Sequence, residues 1–566
     1  MGRGDCCIIL IGQNLNEAHR MKRAVDYLIV GSGSAGSVLA NRLSANPRTS
    51  CLLLEAGGTD NYLPIHVPAG YLHTIGNKRT DWCFETRVQP GLGGRSIPYA
   101  RGRSLGGCSS INGQIYMRGQ KEDYDSWAAL AQDERWTWDN LLPLFKRQQG
   151  HFKGASEFHG ADGPWTVSEL RVQWTALDEW IKAAEEVGIP AIDDFNTGDN
   201  FGASYFHCNQ RKGWRLNAYQ AFVSDIVEER QNLEVKTHTE VSKLLFDTAQ
   251  GTKKCVGVRY VNSSTGEEGE IRVNKEVILA AGSIGDVQIL ERSGVGQGEH
   301  LTSLGIPVYH ELNGVGSNLQ DHLQIRPYFS VEGLPTLNTT ISSLYGKATI
   351  GLEFLLNASG PLASAPSQVG CFAKSDPSVD RANLEFHIQP LSLDKFGEPL
   401  HSTFDAITAS VCNLRPTSRG SVHITGRDVG DGVDIHPNYL ATIEDEKVAV
   451  DSLKLARQIM LETETFNKYN CKEVVPGADV QGDSALLKAA RRYSTTIFHP
   501  VGTCQMGVKS NPEAVVDSDL RVHGIKGLRI ADASIMPLIT SGNTANPTMV
   551  VAERAAESIL LEDHLN

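Results

Sequence analysis

No stretch of this 566-residue chain approaches the roughly 18 uncharged apolar residues of a membrane-spanning helix. The run Cys7-Ile8-Ile9-Leu10-Ile11 is too short and too poorly flanked for a secretory signal. Basic charge is also scarce. Against 66 Asp and Glu stand 53 Lys and Arg, a formal net charge of −13, and no basic stripe offsets it. That balance argues against nucleic acid or an anionic membrane as a partner. The 11 cysteines are scattered and form no paired C-x-x-C framework for zinc or disulfides, so no metal site is expected and a reducing, cytoplasmic setting fits. Without a signal peptide, the N-x-S/T triplets at Asn262, Asn338 and Asn357 read as chance. Repeats and low-complexity linkers are missing too, so any change of domain occurs through short crossings. The length exceeds one ordinary domain, and a 40% hydrophobic content suffices for a large core.

What is present is concentrated first between Asp26 and Gly58. Tyr27-Leu28-Ile29-Val30 reads as a short buried strand, because an apolar run of that length ending in glycine is too short for a core helix. It runs into Gly31-Ser32-Gly33-Ser34-Ala35-Gly36, with G-x-G-x-x-G spacing, and then into a helical pattern through Leu43. A second strand, Cys51-Leu52-Leu53-Leu54, ends on Glu55. A dinucleotide site requires this order. Gly31 permits the turn, Gly33 lets backbone approach a pyrophosphate, and Gly36 lets helix and strand pack closely. The N–H groups of the helix start, at Ser34 and Ala35, face the anion. Glu55 stands where a carboxylate accepts hydrogen bonds from ribose hydroxyls and repels a 2′-phosphate. FAD and NAD both fit this stretch, and NADP is disfavoured.

Further along, Gly102 to Gly113 places adjacent glycines, Gly106 and Gly107, before small hydroxyl residues and Asn112, as suits backbone lying beside a flat or charged ligand. Helical spacing is expected from Tyr124 to Gln149, Trp174 to Val187, Asn217 to Glu228 and Val448 to Leu461. Strands are expected over Asn232 to Phe246, Lys254 to Val261 and Glu270 to Leu279, and again over Asn383 to Gln389 and Phe404 to Val411. Ala280 to Ser283 delivers small residues to a second strand-turn-helix, and Gly314 to His322 follows as a glycine-rich signature. Near the C-terminus, Phe498-His499-Pro500, the strand-like Gly527 to Ser534, and Gly542-Asn543 ahead of a helix from Met549 to Leu560 gather polar groups in an apolar setting.

These motifs, in this order and spacing, resemble the glucose-methanol-choline (GMC) family of FAD-dependent oxidoreductases from Asp26 to Leu561. One departure is that Asp286 and Val287 stand where the family has a hydroxyl residue and a proline, which concerns the helix start more than the chemistry. The resemblance implies FAD, with the flavin against Gly106, Gly107, Ser109 and Asn112, Val241 near the adenine, and Asp532 and Ala533 near the ribityl-pyrophosphate end. Ile111 occupies the place where some relatives attach the flavin through histidine, so non-covalent FAD is expected. The resemblance also implies His499 and Asn543 as the catalytic pair. An imidazole accepts a hydroxyl proton near neutral pH, and an amide steadies the developing alkoxide. His322 reads as a structural group at the domain junction, His523 as a solvent-facing one, and Asn546 as a neighbour easily confused with Asn543.

The expected architecture is α/β. A Rossmann-like FAD-binding domain is assembled from residues 22–150, 216–312 and 495–566. An α+β substrate domain with an antiparallel sheet takes residues 151–215 and 313–494, and residues 1–21 read as an ill-ordered extension. The expected reaction is oxidation of a primary alcohol to an aldehyde, with oxygen or another electron acceptor closing the cycle. A flavin-containing lyase of the hydroxynitrile lyase type is the alternative on the same fold.

Overall fold

The structure, a computed structural model, describes residues 24–248, 251–365, 367–394 and 398–565, so the extension expected over residues 1–21 lies outside the described residues. Val25–Val30 and Cys51–Leu54 pair in parallel, and Leu233–Lys236 extends the sheet beyond Cys51–Leu54. On the other side Val25–Val30 pairs in parallel with the far half of Glu268–Leu279, which also takes Leu528–Ile530 as a parallel neighbour. Leu52, Leu53, Leu28, Ile29, Val277 and Ile278 are all at most 2% exposed, the two-sided burial expected of parallel strands. The near half of Glu268–Leu279 turns antiparallel and carries Lys254–Asn262 and Thr239–Asp247.

A second sheet is built mainly from antiparallel strands. Leu384–Gln389 lies between Val369–Ala373 and Asp405–Asn413. Tyr328–Val331 and Leu323–Ile325 both pair with Asp405–Asn413, and Leu323–Ile325 also holds Ser494–Thr496. Along Leu384–Gln389, alternation assigns opposite faces. Leu384, Phe386 and Ile388 enter a core shared with the helices Thr175–Glu186 and Ile443–Leu461. Glu385, His387 and Gln389 are equally buried on the other face. That polar face is turned toward the first sheet, and the functional cavity lies between the two.

Three segments differ from the periodicity. The strand expected over Asn232–Phe246 is broken after Lys236, where His238 takes a left-handed φ of 55° and the pairing switches from parallel to antiparallel. The helix expected from Tyr124 to Gln149 is two, Lys121–Ala131 and Trp138–Gln148, separated at Gln132 with φ 52°. Asn217 caps only a short helix, Ala218–Phe222. Beyond it the Ser224 hydroxyl bonds the Gln220 carbonyl and the chain continues in turns rather than helix to Glu228.

Candidate active site

The nucleotide end follows from two glycine turns pressed together. Gly31 has φ 99°, and a Cβ on Gly36 would stand 1.8 Å from the Gly31 carbonyl oxygen, so helix Ser34–Leu43 can leave the strand only with glycine there. A Cβ on Gly107 would stand 2.7 Å from the Gly33 Cα, which locks the second loop onto the first. No side chain caps helix Ser34–Leu43 and its first turn holds no acid, so its leading N–H groups remain open toward the cavity. An uncapped helix start on a cavity wall is the cradle a pyrophosphate fits.

The cavity measures about 340 Å³. Gly31, Gly33, Ser34 and Ala35 line it, as do Glu55 and Val241. Gly107, Asn112, Asp532 and Ala533 line it as well, and so do His499 and Asn543. Gly36, Gly106 and Ser109 are not on its wall. Gly36 serves the packing just described, and the Ser109 hydroxyl donates to the Gly106 carbonyl at 2.5 Å while accepting from the Ala218 N–H at 2.8 Å. Those two residues shape the loop from within. Asn112 accepts from Arg215 Nη1 at 2.9 Å, and Ile111 is buried beside it. Glu55 is fixed by the Ser32 hydroxyl at 2.7 Å and the Gly57 N–H at 2.8 Å, while burial pushes its carboxyl upward in pKa.

Gln320-Asp321-His322 clamps the segment carrying His499. Asp321 accepts from the His499 backbone N–H at 2.8 Å and from the Thr496 hydroxyl at 2.6 Å, and the Tyr439 hydroxyl bonds the same carboxylate. His322 Nδ1 meets His499 Nδ1 at 3.0 Å, and His322 Nε2 meets the Leu414 carbonyl oxygen at 3.1 Å. A carbonyl only accepts, so His322 Nε2 carries the proton and His322 Nδ1 is the acceptor. His499 must then donate from Nδ1, which leaves a lone pair on Nε2. That atom faces Asn543 Nδ2 at 3.2 Å. Burial, with His322, His387 and Arg101 nearby, holds the His499 imidazole well below its usual range, and burial lowers His322 as well. Both rings are neutral at physiological pH.

Asn543 and Asn546 separate cleanly. Asn543 reaches His499, and its Oδ1 is buried with no partner. Asn546 accepts from Trp165 Nε1 at 2.8 Å and donates to the Met117 carbonyl at 2.9 Å, so it ties the C-terminal helix to the core. The loop before Asn543 is pinned by Asp123, which accepts from the Ser541 N–H at 2.7 Å and hydroxyl at 2.9 Å. His523 is tied down at 3.1 Å to the Gly507 carbonyl rather than simply solvated.

Asp286, at the departure from the family pattern, is fully buried. It accepts from the Ala281 N–H at 2.9 Å and from the Ser534 hydroxyl at 3.1 Å, and it is hydrogen-bonded to Asp532. Burial and the Asp532 carboxylate push it far upward, so Asp286 keeps its proton. The wall also holds Arg101, Gln324, Arg326, His387 and Gln389, which sequence reading did not select. The available signal was the E-x-H-x-Q alternation within an apolar strand, since polar residues buried there require a polar cavity to face.

An uncapped helix start and a buried, neutral histidine, His499, brought to one cavity between two sheets, mark a two-lobed α/β fold. Family models described as GMC oxidoreductase match residues 25–324 and 416–552. The chain belongs to the GMC oxidoreductase family. It is 37% identical over 537 residues to an alcohol dehydrogenase [acceptor] of Pseudomonas putida, covering 94% of this chain and 95% of that protein. It is 38% identical over 543 residues to human mitochondrial choline dehydrogenase, covering 94% and 89%. Its fold matches an FAD-dependent oxidoreductase from Chaetomium thermophilum with TM-score 0.86 at 25% identity, covering 95% of this chain and 100% of that one.

Proposed function

We propose that this enzyme oxidises a primary alcohol to an aldehyde with non-covalent FAD as cofactor. The observation that carries the reading is the lone pair on His499 Nε2, fixed in place by the Leu414–His322–His499 chain and set 3.2 Å from the Asn543 amide. Asn543 Nδ2 donates to that lone pair, so a substrate hydroxyl displaces the amide from it and binds beside both groups, donating to Nε2 and accepting from Asn543 Nδ2. His499 removes its proton, a contribution of about 10²–10⁴-fold for general base catalysis. Asn543 steadies the negative charge left on oxygen and orients the carbon–hydrogen bond. FAD, when bound, supplies the hydride acceptor. The uncapped helix start with Gly31, Gly33, Ser34 and Ala35 would hold its pyrophosphate, Glu55 its ribose, and Val241 its adenine. Gly107 and Asn112 would border the flavin, with Asp532 and Ala533 at the ribityl end and Gly36, Gly106 and Ser109 shaping the two loops.

Oxygen or another electron acceptor completes the cycle, and the scattered cysteines support a cytoplasmic setting. Among the described residues no helix is long and apolar enough to cross a membrane. The test is anaerobic mixing of the yellow protein with a panel of primary alcohols while following the flavin band. Bleaching by any of them supports the reading, and readmitted air separates oxidase from dehydrogenase. No bleaching together with cyanohydrin cleavage would replace it with the lyase reading.

A further inference from the structure

The cavity wall contributed by the second sheet carries a positive charge with no carboxylate partner among the described residues. Arg326 follows strand Leu323–Ile325 and lies on the cavity wall beside Gln324, Gln389 and His387. Its guanidinium donates to Gln324 Oε1 at 3.3 Å and to Gln389 Oε1 at 3.2 Å, two neutral and rather distant acceptors. Those amides are themselves held, Gln389 Nε2 by the Ser367 hydroxyl at 3.0 Å and Gln324 Nε2 by His387 Nδ1 at 3.4 Å. They cannot turn away from the arginine without breaking a second bond. Among the described residues no carboxylate pairs with Arg326, and the titratable group that acts on its charge is Tyr71. A guanidinium withdrawn from water is normally matched by an acid, because desolvation is otherwise uncompensated.

The acids on the cavity wall are committed elsewhere. Glu55 is bound by Ser32 and Gly57, Asp532 accepts from the Gly282 N–H at 2.6 Å, and Glu240 faces Arg103 at 3.7 Å. All three belong to the nucleotide half. Glu385, on the polar face of the substrate sheet, does not line the cavity and stands 3.3 Å from His387 Nε2. Another cavity-lining arginine, Arg101, is spent on the carbonyls of Ala100 and Phe498 and adds to the positive field beside His499. The uncapped helix start follows a strand of the first sheet whereas Arg326 follows a strand of the second, so a cofactor's pyrophosphate would have its own site.

We propose, resting on the alcohol-oxidation reading above, that the physiological substrate is a hydroxy acid: a primary alcohol at one end and a carboxylate at the other, the carboxylate paired with Arg326. A guanidinium fork matches the two oxygens of a carboxylate, and Gln324 and Gln389 hold the fork in position. The same charge repels a quaternary ammonium, so choline is a poor substrate for this chain despite its relatives.

The test uses the FAD-loaded protein in two arms. In the first, straight-chain carboxylates lacking a hydroxyl, and the matching neutral amides, are titrated against the flavin spectrum. The carboxylates are expected to bind at least about tenfold more tightly than the amides. In the second, ω-hydroxy acids of increasing length, their methyl esters and choline are mixed anaerobically with the protein. The efficiency of flavin reduction is expected to favour the best acid over its ester by at least about tenfold, with choline below both. Arg326→Gln should bring both ratios close to one, and Arg326→Lys should restore part of the preference. Acids no better than amides and esters in the wild type would overturn the inference and leave alcohol oxidation standing. Failure of every alcohol, charged or neutral, to bleach the flavin would instead remove the reading beneath it. The wild-type comparison decides the matter even where a variant does not fold.

Discussion

His322 and His499 lie 177 residues apart in sequence and 3.0 Å apart at their Nδ1 atoms, and only one of them can supply the proton between them. The Leu414 carbonyl assigns that role to His499. A main-chain oxygen therefore determines, through one ring, which nitrogen of the next carries the lone pair.

Removing the base and removing the residue that orients it should differ. His499→Ala should retain FAD and slow anaerobic flavin reduction by at least about 10²-fold. His322→Leu should slow it less, about tenfold, and should also move the acid limb of its pH profile upward. His322 is one of the groups that lower the His499 pKa, so its loss raises that pKa and protonates the base at a higher pH. In the wild type the acid limb should lie below the ordinary imidazole range, because burial holds the His499 pKa down. An unshifted profile in His322→Leu would make His322 a packing residue only.

The two asparagines allow a paired comparison. Asn543→Ala should lower the limiting reduction rate at least about tenfold with little change in thermal stability, toward the 10²–10³-fold typical of a lost oxyanion donor. Asn546→Ala removes two buried hydrogen bonds and should cost about 1–3 kcal/mol of stability, while the folded fraction reacts normally. The reverse pattern would exchange their roles.

Asp286 makes stability depend on pH with a definite sign. Its folded pKa is raised, so below the ordinary carboxylate value of about 3.9 both states hold the proton and its contribution is intact. As pH rises, the unfolded chain releases that proton while the native protein keeps it, and stability falls by up to about 1.4 kcal/mol per pH unit until the folded pKa is reached. Asp286→Asn keeps a donor toward Asp532 without the proton. Urea unfolding of this variant should show a flatter stability profile from pH 5 to pH 8 than the wild type. Parallel profiles would mean that Asp286 is ionised in the native state.

With Ile111 in the glycine-rich loop, acid precipitation should release all the yellow colour into the supernatant. Colour remaining in the pellet would show a covalent link to the flavin.

The nucleotide turn was legible because its determinants are local: strand, glycines, helix and Glu55 lie within 30 consecutive residues, 26–55. His499 and Asn543 were singled out by motif resemblance, and the structure sets them 3.2 Å apart, but the nitrogen of His499 that carries the lone pair was not legible. It depends on Leu414, which reaches the site only through pairing of distant strands. Arg326 escaped for a related reason. An arginine is ordinary in sequence, and its missing countercharge becomes visible only once Gln324 and Gln389 are brought around it. The over-long helix after Asn217 shows the limit of periodicity, since local side-chain bonding won over apolar spacing there.

Strand Leu528–Ile530 joins the sheet begun by Val25–Val30 through Glu268–Leu279, and Asp532 then ties to Gly282 across 250 residues. During translation, therefore, the parallel layer must wait with one edge open until almost the whole polypeptide has left the ribosome. The glycine turn is complete in sequence by Gly36, whereas His499 and Asn543 follow more than 460 residues later. A nascent chain stopped before residue 528 carries the glycine turn and His499 but lacks both the closing strand and Asn543.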